Sequence, residues 1–421
     1  MSQANRLDRR NFLASSGLAL AGLGLSPSFL RAALDQAPTR MGGKVLVLVI
    51  QRGACDGLAM VPPLGDGHYH AYRPTLALEA QGDGAALKLD DTFGLHPSLT
   101  ALKPFYDAGQ LAVLHEVGSP DPTRSHFDAQ DFLESGTPGV KSTGDGFLNR
   151  ALQCLKKSSD APFRAIALQP NMPRILQGEA SALAMNDLND FQLSPEMAGR
   201  GGSNPSGFEG MYQGALDRAL RGVGDEAFSA LKDLKAKDPR NFQPANGATY
   251  PNSPLGRRMK QIAQLIKADL GLQMATTDCG GWDTHLAQGG ATGQLANRLQ
   301  DFGDSLGAFL VDFRERLDQV CLVTVTEFGR TVRENGNRGT DHGHGSVMFV
   351  AGGKARGKRV IAKWKSLASQ DLYEDRDLPV TLDHRDALGE ILERHLGVPD
   401  LRTVFPGFAN DRTKRPGIFG A

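Results

Sequence analysis

The hydrophobic residues of this chain fall into two patterns that predict different secondary structures. Short, continuous apolar runs are typical of strands buried on both faces of a sheet. Six such runs are spaced along the chain: Lys44–Ile50, Leu111–Leu114, Ala165–Leu168, Leu270–Ala275, Val320–Val325 and Val347–Val350. Apolar residues from Leu295 to Leu317 recur every three or four positions, which predicts one long amphipathic helix. Because strands alternate with helices, we expect a three-layer α/β/α fold with a mostly parallel sheet.

Polar side chains are concentrated where these predicted strands end. The first run leads into Gln51–Gly57, the second into Pro122–Asp128, the fourth into Thr277–His285 and the fifth into Thr326–Thr331. One more polar cluster, Gly339–Gly345, lies just before the sixth run. In sheets of this type, ligands bind beyond the carboxyl ends of the strands. We therefore expect the polar clusters to meet there and to form the functional site.

The residue types in these clusters suit a metal-dependent reaction. Asp, Glu and His without Cys suit Zn²⁺ or Mn²⁺, whereas sites built only of oxygen suit Mg²⁺ or Ca²⁺. Two ions about 4 Å apart can hold both the attacking and the leaving oxygen of a phosphoryl-type transfer. Ser125 precedes a predicted helix, Phe127–Glu134, where a helix N-terminus and a bound ion could make its hydroxyl a nucleophile. Arg52, Arg124 and Arg330 could each offer two N–H donors to phosphate or sulfate.

Composition and charge exclude several other classes of protein. The 421 residues include 47 Lys and Arg and 47 Asp and Glu, so the formal net charge is zero. Broad capture of nucleic acid or of an acidic membrane surface needs an excess of basic residues, so we expect no nucleic-acid partner. Four cysteines without a C-x-x-C pair exclude a disulfide scaffold and a cysteine-based zinc or redox motif.

The first 35 residues have the features of an export signal. Arg9 and Arg10 are followed by a weakly hydrophobic stretch, Ala14–Leu25, that is too short to span a bilayer. The block resembles the twin-arginine (Tat) signal, which implies that the Tat translocase carries the folded protein to the periplasm or another extracytoplasmic location. The alternative is an amphipathic first helix with a chance Arg–Arg pair. No later run of 18 or more apolar residues occurs, so we expect no stable membrane anchor.

The remaining residues, 43–421, are interpreted as one domain with a loop-rich insertion at about 170–255. Two segments of this insertion, Ser194–Phe208 and Lys237–Pro254, are rich in Gly, Ser, Pro and Asn. Long loops of this kind commonly carry or border functional sites. We expect the insertion to shape the entrance for the substrate.

Six motifs in one order make the chain similar to a known bacterial family. They are Arg52–Leu58, Leu95–Pro97, Arg124–Gln130, Gly281–His285, Thr326–Thr331 and Thr340–Gly343. From about Gly43 to about Gly397 the chain resembles a family of Tat-exported proteins of unassigned function, placed in the alkaline-phosphatase/sulfatase superfamily. The resemblance implies an alkaline-phosphatase-like fold, one or two divalent ions (Zn, Mn, Mg or Ca) and hydrolysis of a small-molecule or polymer ester of phosphate or sulfate.

The superfamily layout, carried over by position, implies the residues of the site. Ser125 matches a nucleophile that opens a helix, with Thr123 a lesser candidate. Arg52 or Arg124 would steady the transferred group. The implied metal ligands are Asp56, Asp283, His285, Glu327, Asp341 and His342, with His344 beside the last of them.

Two departures from this layout leave other interpretations open. Asp283 and His285 are closer in sequence than the usual pair, and Glu327 stands where an Asp with a nearby His is expected. The site could therefore hold one ion rather than two. The chain could also be a non-catalytic envelope protein that retains the fold and binds a ligand or partner.

Several candidate residues also have ordinary structural explanations. Asp56 could cap a helix or turn, and Ser125 could be an N-cap residue. Glu327 could be a structural partner of Arg330. The residues with a possible supporting or packing role are His126 and Asp128 beside Ser125, and His96 at a predicted helix start.

Overall fold

A computed structural model describes residues 43–155, 163–188 and 237–420. A nine-stranded sheet lies at the centre of these residues, and a small two-stranded ladder is separate from it. The proposed export signal at residues 1–35 and the segment Ser194–Phe208 lie outside the described residues. The strands are β1 (Val45–Gln51), β2 (Leu87–Lys88), β3 (Gly94–Leu95), β4 (Leu111–Gly118), β5 (Ala165–Leu168), β6 (Leu183–Met185), β7 (Met274–Cys279), β8 (Val320–Thr326), β9 (Ser346–Gly352), β10 (Val360–Ile361) and β11 (Leu382–Asp383).

The helices lie between these strands along the chain. The α-helices are α1 (Gly57–Met60), α2 (Tyr69–Tyr72), α3 (Lys103–Asp107), α4 (His126–Ser135), α5 (Phe147–Cys154), α6 (Pro254–Lys267), α7 (Gln294–Asp312), α8 (His384–Ile391) and α9 (Leu401–Val404). Shorter turns are the 3₁₀ segments Pro97–Leu102, Arg174–Leu176, Pro239–Asn241, Arg314–Gln319, Ser369–Asp371 and Arg412–Lys414, and the π-helical turn Leu392–Leu396. The helix predicted from Leu295 to Leu317 is α7, which ends at Asp312 and continues as a 3₁₀ segment.

The central sheet is mixed and mostly parallel, as the hydrophobic pattern predicts. Its order is β10–β4–β9–β8–β1–β7–β5–β6, and β11 pairs with the carboxyl end of β4. β1 is parallel to both of its neighbours, β7 and β8. Among the described strands of this sheet, β9 alone is antiparallel to its neighbours, β4 and β8. The carboxyl ends of the parallel strands and the amino end of β9 therefore lie at the same edge of the sheet.

Alternate residues of β1 pack into two different cores, which explains why the whole strand is apolar. Val45, Val47 and Val49 belong to a core formed with helices α6 and α7. Leu46, Leu48 and Ile50 belong to a second core formed with helices α5, α8 and α9. Successive side chains of a strand point to opposite faces, so a strand covered on both faces is apolar throughout. The described residues thus form the expected three layers.

One strand begins later than its sequence predicts. The apolar run Leu270–Ala275 suggests a strand from Leu270, but β7 begins at Met274. Asp269 and Gly271 have φ angles of 51° and 77°, so the chain turns before it becomes extended. β7 accordingly runs on to Cys279, and the polar loop that follows begins at Gly280.

The register of β1 aligns the strand ends that carry the polar clusters. Gln51, the last residue of β1, lies opposite Cys279 at the end of β7 and opposite Thr326 at the end of β8. The loops that begin at Arg52, Gly280 and Glu327 consequently start side by side. Ser346 of β9 pairs with Val117 near the end of β4, which brings the segments before β9 and after β4 to the same edge.

The region expected to be an insertion is described only at its two ends. Residues 170–188 contain β6, which pairs with β5 in the central sheet. Residues 237–255 lead through a 3₁₀ turn into α6. Among the described residues, no helix is both long enough and apolar enough to cross a membrane.

Candidate metal centre

Three imidazole rings and one carboxylate meet at the polar edge of the sheet. Nε2 of His342 lies 3.0 Å from Nε2 of His126 and 3.0 Å from Nε2 of His285. Oδ1 of Asp283 lies 2.9 Å from Nε2 of His285 and 3.2 Å from Nε2 of His342. These four residues, His126, Asp283, His285 and His342, are called the histidine cluster below. Their side chains are 24% to 43% exposed, so the cluster is open to solvent.

Each histidine of the cluster is oriented through its other ring nitrogen. The three contacts of Nδ1 are His342 to the carbonyl oxygen of Arg124 (2.8 Å), His126 to the carboxylate of Glu327 (2.9 Å) and His285 to the carboxylate of Asp341 (2.9 Å). A carbonyl or carboxylate oxygen only accepts a hydrogen bond, so each Nδ1 carries the proton. A neutral ring then has its lone pair on Nε2, and the Nε2 atoms of His126 and His285 both face Nε2 of His342.

The cluster fits a divalent cation by geometry and by chemistry. Lone pairs that face one another at 3.0 Å repel unless a cation or proton lies between them. Bonds of 2.0–2.1 Å from an ion to histidine nitrogen place neighbouring ligand atoms about 3.0–3.4 Å apart, close to the separations in the cluster. Metal-bound histidines commonly donate their other N–H to a carboxylate or carbonyl, as all three do here. Nitrogen donors with one carboxylate suit Zn²⁺ or Mn²⁺ better than Mg²⁺ or Ca²⁺.

Three residues of the cluster from different segments are close enough to share one ion. The ligand atoms of His126, Asp283 and His342 all lie within 4.8 Å of one another. The predicted ligands Asp283, His285 and His342 are therefore brought together, with His126 added to them.

Arg330 supports the carboxylate of the cluster from within the protein. Its side chain is buried, and Nη1 donates to Oδ1 of Asp283 at 2.6 Å. Nε and Nη2 of the same guanidinium are held by the hydroxyl and carbonyl of Thr340. Partial burial raises the pKa of Asp283, but the hydrogen bond and charge of Arg330 outweigh this effect and bring the pKa below its usual value. Asp283 is therefore a carboxylate with a fixed position.

Glu327 lies behind His126 rather than among the atoms that face the cluster centre. Its buried Oε1 accepts from Nδ1 of His126, the amide of Gln130 and the backbone N–H of Gly53 at 2.8–2.9 Å. Burial raises the pKa of Glu327, but these hydrogen bonds outweigh the burial and lower the pKa. Phe328 stacks against the His126 ring at 4.9 Å between centroids. Glu327 thus orients a candidate ligand, and its partner is His126, not Arg330.

Asp341 has the same relation to His285. Its carboxylate accepts from Nδ1 of His285 at 2.9 Å and from the side-chain amide of Asn335 at 3.1 Å. Desolvation raises the pKa of Asp341, but the bonds from His285 and Asn335 outweigh it, so the pKa is lowered. Asp341, predicted as a metal ligand, is placed as the residue that orients one.

Asp56, also predicted as a metal ligand, uses its carboxylate elsewhere. It is almost fully buried, and Oδ2 accepts from Nη1 of Arg73 at 2.7 Å and from the amide of Gln288 at 2.6 Å. Oδ1 accepts from the backbone N–H of Ala59 and caps α1. Asp56 therefore has a structural role as a helix cap and as one half of a buried ion pair, and it does not face the histidine cluster.

Ser125 occupies the N-cap position of α4, directly before His126. Its backbone is extended, and its side chain makes no capping hydrogen bond. The residue is exposed, and the hydroxyl has no hydrogen-bond partner among the described residues. Its neighbours in sequence, Arg124 and His126, both contact His342. The predicted nucleophile is thus beside the cluster with a free hydroxyl, and its role stays a prediction.

The arginines expected to hold a transferred group are engaged with carboxylates. Arg52 pairs with Glu134 and Asp278, each at 2.8 Å. Arg124 pairs with Asp377 at 2.6 Å and with Glu374 at 2.7 Å. These contacts direct both side chains to carboxylates that are not members of the histidine cluster.

Three further candidates have structural roles. His96 begins the 3₁₀ segment Pro97–Leu102 and accepts from the backbone N–H of Ser98, as the proline after it suggests. Asp128 pairs with Lys141 at 2.8 Å. His344 is buried and stacks on Tyr373 at 4.6 Å.

Two glycines allow the loops of the site to approach closely. Gly53 has a φ of 118°, and a Cβ atom there would lie 3.0 Å from the backbone nitrogen of Asp283. At Gly343, a Cβ atom would lie 2.4 Å from the carbonyl carbon of Arg330. Larger residues would push the loop after β1 away from the loop after β7, and the segment before β9 away from the loop after β8.

His126 is the member of the cluster that sequence patterns point to least. It lies in the motif Arg124–Gln130, where the serine draws attention as the nucleophile. One signal was present: His126 and Gln130 are four residues apart and share one face of a helix. Both side chains contact Glu327.

Three solved structures are similar to this chain at low identity. The first is the C-terminal periplasmic domain of EcEptC from Escherichia coli in complex with Zn, with 12% identity, coverage of 90% of this chain and 88% of that chain, and a TM-score of 0.35. The PsFucS1 sulfatase from Pseudoalteromonas sp. has 11% identity, coverage of 92% and 73%, and a TM-score of 0.36. The phosphonate monoester hydrolase of Agrobacterium radiobacter has 10% identity, coverage of 77% and 71%, and a TM-score of 0.30.

Sequence comparison identifies the family. No curated protein matches the chain. One family model matches residues 43–404, which include every residue of the histidine cluster and its supporting groups. The chain therefore belongs to the family described as Protein of unknown function (DUF1501).

Proposed function

We propose that this protein is a metal-dependent hydrolase of phosphate or sulfate esters. The observation that carries the proposal is the convergence of three Nε2 lone pairs and the Asp283 carboxylate. Two imidazole nitrogens that each lie 3.0 Å from a third are well placed to share a bound cation. A divalent ion in this place would act as a Lewis acid on an ester oxygen.

Ser125 is the residue that we infer to attack the phosphorus or sulfur atom. Its hydroxyl oxygen would form the new bond, and its proton would pass to the ester oxygen, which would leave with the organic group as an alcohol. Water would then cleave the seryl ester, releasing phosphate or sulfate and restoring the serine. The free N–H groups and positive end of α4 would stabilise negative charge as it develops on this segment. Arg52 and Arg124 are engaged in ion pairs, so their predicted contact with the transferred group has no support in these contacts.

The arrangement supports a site for one ion. Asp56, the predicted ligand of another ion, is neutralised by Arg73. Glu327 and Asp341 each orient a histidine. The predicted ligands that remain, with His126, are sufficient for one coordination sphere.

The proposal is tested by metal analysis of the purified full-length protein together with a panel of phosphate and sulfate esters. We expect about one divalent ion per chain in the wild type. His342→Ala removes the central nitrogen and should abolish both the bound ion and hydrolysis. His70→Ala is the matched control, because His70 is exposed and contacts Glu79 and the ring of Tyr69 rather than the histidine cluster. Wild-type protein without metal after loading would refute the proposal.

A second variant tests the nucleophile separately from the ion. Ser125→Ala should retain the bound ion and lose hydrolysis, because the serine is outside the histidine cluster. Hydrolysis at the wild-type rate by this variant would exclude Ser125 as the attacking group.

A non-catalytic role is the second candidate, and one observation favours it. Arg52, Arg124 and Arg330 are all paired with carboxylates, so these three side chains are not free to hold a transferred anion. A protein that binds the ion in the histidine cluster but cleaves no ester in the panel would support this candidate.

We also propose that the chain is exported by the Tat translocase to the periplasm. The support for this is the Arg9–Arg10 pair and the short apolar stretch after it. Changing both arginines to lysine should leave the protein in the cytoplasm. Export that continues at the wild-type level would contradict the proposal.

A further inference from the structure

Two strongly exposed apolar residues directly follow histidines of the histidine cluster in sequence. Phe127 is 90% exposed and Leu286 is 64% exposed, the highest values among the large apolar residues of the described ranges. Phe127 directly follows His126, and Leu286 directly follows His285. Consecutive Cα atoms are 3.8 Å apart, so each apolar side chain begins one residue from a ring of the cluster.

The position of this pair is more informative than its exposure. Single exposed apolar residues are common on protein surfaces. Here the two belong to different segments, one at the start of α4 and one in the loop after β7, and both segments are brought together at His342. Apolar surface that borders a polar site is typical of a ligand-binding site, where a few polar groups fix orientation.

The charges around the cluster restrict the other part of the ligand. Recognition of a doubly charged phosphate monoester commonly uses free arginine side chains. The guanidinium groups of Arg52, Arg124 and Arg330 are each paired with carboxylates at 2.6–2.8 Å. Asp283 within the cluster and Glu327 and Asp341 behind it carry three negative charges, which balance Arg330 and one divalent ion and leave no excess positive charge for a dianion. A singly charged group is therefore a better electrostatic match than a doubly charged one.

From these two observations we propose a substrate class, which rests on the proposed function. The substrate is a singly charged ester whose organic group is an alkyl or aryl group. Its anionic end faces the histidine cluster, and its apolar end packs between Phe127 and Leu286. The two side chains are specificity-determining residues.

Binding of non-hydrolysable analogues to the zinc-loaded, full-length protein tests this class without relying on turnover. Calorimetry would compare benzenesulfonate and methanesulfonate, which carry one charge, with phenylphosphonate as the doubly charged analogue. We expect benzenesulfonate to bind about tenfold more tightly than methanesulfonate, a difference of about 1.4 kcal/mol. It should also bind more tightly than phenylphosphonate.

Variants assign the preference to the two side chains. Phe127→Ala and Leu286→Ala should each lower the ratio between benzenesulfonate and methanesulfonate affinity about threefold, and the double variant should bring it close to one. Phe242→Ala is the control, because Phe242 is also an exposed phenylalanine and lies in the segment before α6, outside the cluster. This variant should leave the ratio unchanged.

Four results would overturn the inference. The first is an equal ratio of benzenesulfonate to methanesulfonate affinity in the wild type and the double variant, and the second is no binding of either sulfonate. The third is tighter binding of phenylphosphonate than of benzenesulfonate. The fourth is a larger loss of thermal stability in Phe127→Ala or Leu286→Ala than in the control. The last would mean that the side chains pack within the protein. Metal content, measured on the same samples, separates these results from failure of the proposed function, which would appear as absence of the ion.

Discussion

Two aspartates that follow neighbouring strands are neutralised in different ways. Asp56 follows β1, is almost fully buried and has Arg73 and Gln288 as permanent partners. Asp283 follows β7, is 43% exposed and faces the Nε2 atoms of the histidine cluster as well as Arg330. Water cannot reach the first carboxylate, so the protein must supply its counter-charge. The second is open to solvent, where an exchangeable ion can enter.

The difference distinguishes an acid that stabilises the fold from one that we propose to bind an ion. The Asp56 pair is complete within the chain, and removal of either member leaves a buried charge. The histidine cluster instead brings ring nitrogens of His126 and His285 to 3.0 Å from His342, and we propose that an ion, rather than a residue of the chain, balances them. Three experiments would test this contrast.

The largest effect is expected for Arg73→Met. This change leaves the Asp56 carboxylate buried without a cation, and the free energy of unfolding should fall by about 3–5 kcal/mol. Chemical denaturation would measure the loss. The double variant with Asp56→Asn removes the stranded charge and should recover part of the stability. A loss below about 1 kcal/mol would show that the pair is not essential to this buried region.

A third acidic residue, Asp386 of α8, forms no ion pair within 4 Å among the described residues, although Lys414, Arg385 and Arg415 are close enough to lower its pKa. The stability of the protein should depend on the pH through this residue. Burial first, and then the charge of Asp383, raise its pKa to about 6. Its Oδ1 has no hydrogen-bond partner among the described residues. The folded protein therefore binds a proton more tightly than the unfolded chain. This contribution is fully present below pH 3.8 and is lost as the pH rises through about 6.

The matched variant for this prediction is Asp386→Asn. The free energy of unfolding of wild type relative to the variant should fall by at most about 3 kcal/mol between pH 4 and pH 7. Urea denaturation at several pH values would measure the difference. A constant difference across this range would mean that Asp386 titrates normally.

The smallest of the three effects is expected for Glu327→Gln. The amide keeps the size of the side chain but weakens the orientation of the His126 ring, so metal affinity should fall about 10- to 100-fold. Competition with a chelator would measure the change, which corresponds to about 1.4–2.7 kcal/mol. Asp128→Asn is the control, since Asp128 contacts Lys141 at the surface. Unchanged affinity in Glu327→Gln would mean that His126 needs no such support.

Much of the fold could be predicted because the burial of a strand is reflected in the hydrophobic pattern of its own residues. Val45–Ile50 is apolar at every position, as a strand covered on both faces requires, and it becomes the central strand β1. The boundary of β7 could not be predicted in the same way. Leu270 and Leu272 are buried without being in the strand, so apolar character does not reveal where the extended backbone begins.

The candidate site was predictable in its location but not in its roles. Asp283, His285 and His342 were expected together from the strand ends on which they lie, and the structure brings them together. Glu327, Asp341 and Asp56 have the same residue types and similar surroundings in the sequence. Whether a carboxylate faces an ion, a histidine or an arginine depends on residues far away in sequence, such as Arg73.

Local sequence patterns were enough to predict the layered fold and the edge at which the polar segments meet, and residue types there led to the proposal of metal-dependent chemistry. Hydrophobic periodicity and residue type are local properties, so they can be read directly from the chain. The tertiary structure alone shows that His126 belongs to the cluster and that Arg73 neutralises Asp56. It also shows that Glu327 and Asp341 orient histidines. These roles follow from hydrogen bonds that last only where packing brings distant segments within about 3 Å of each other.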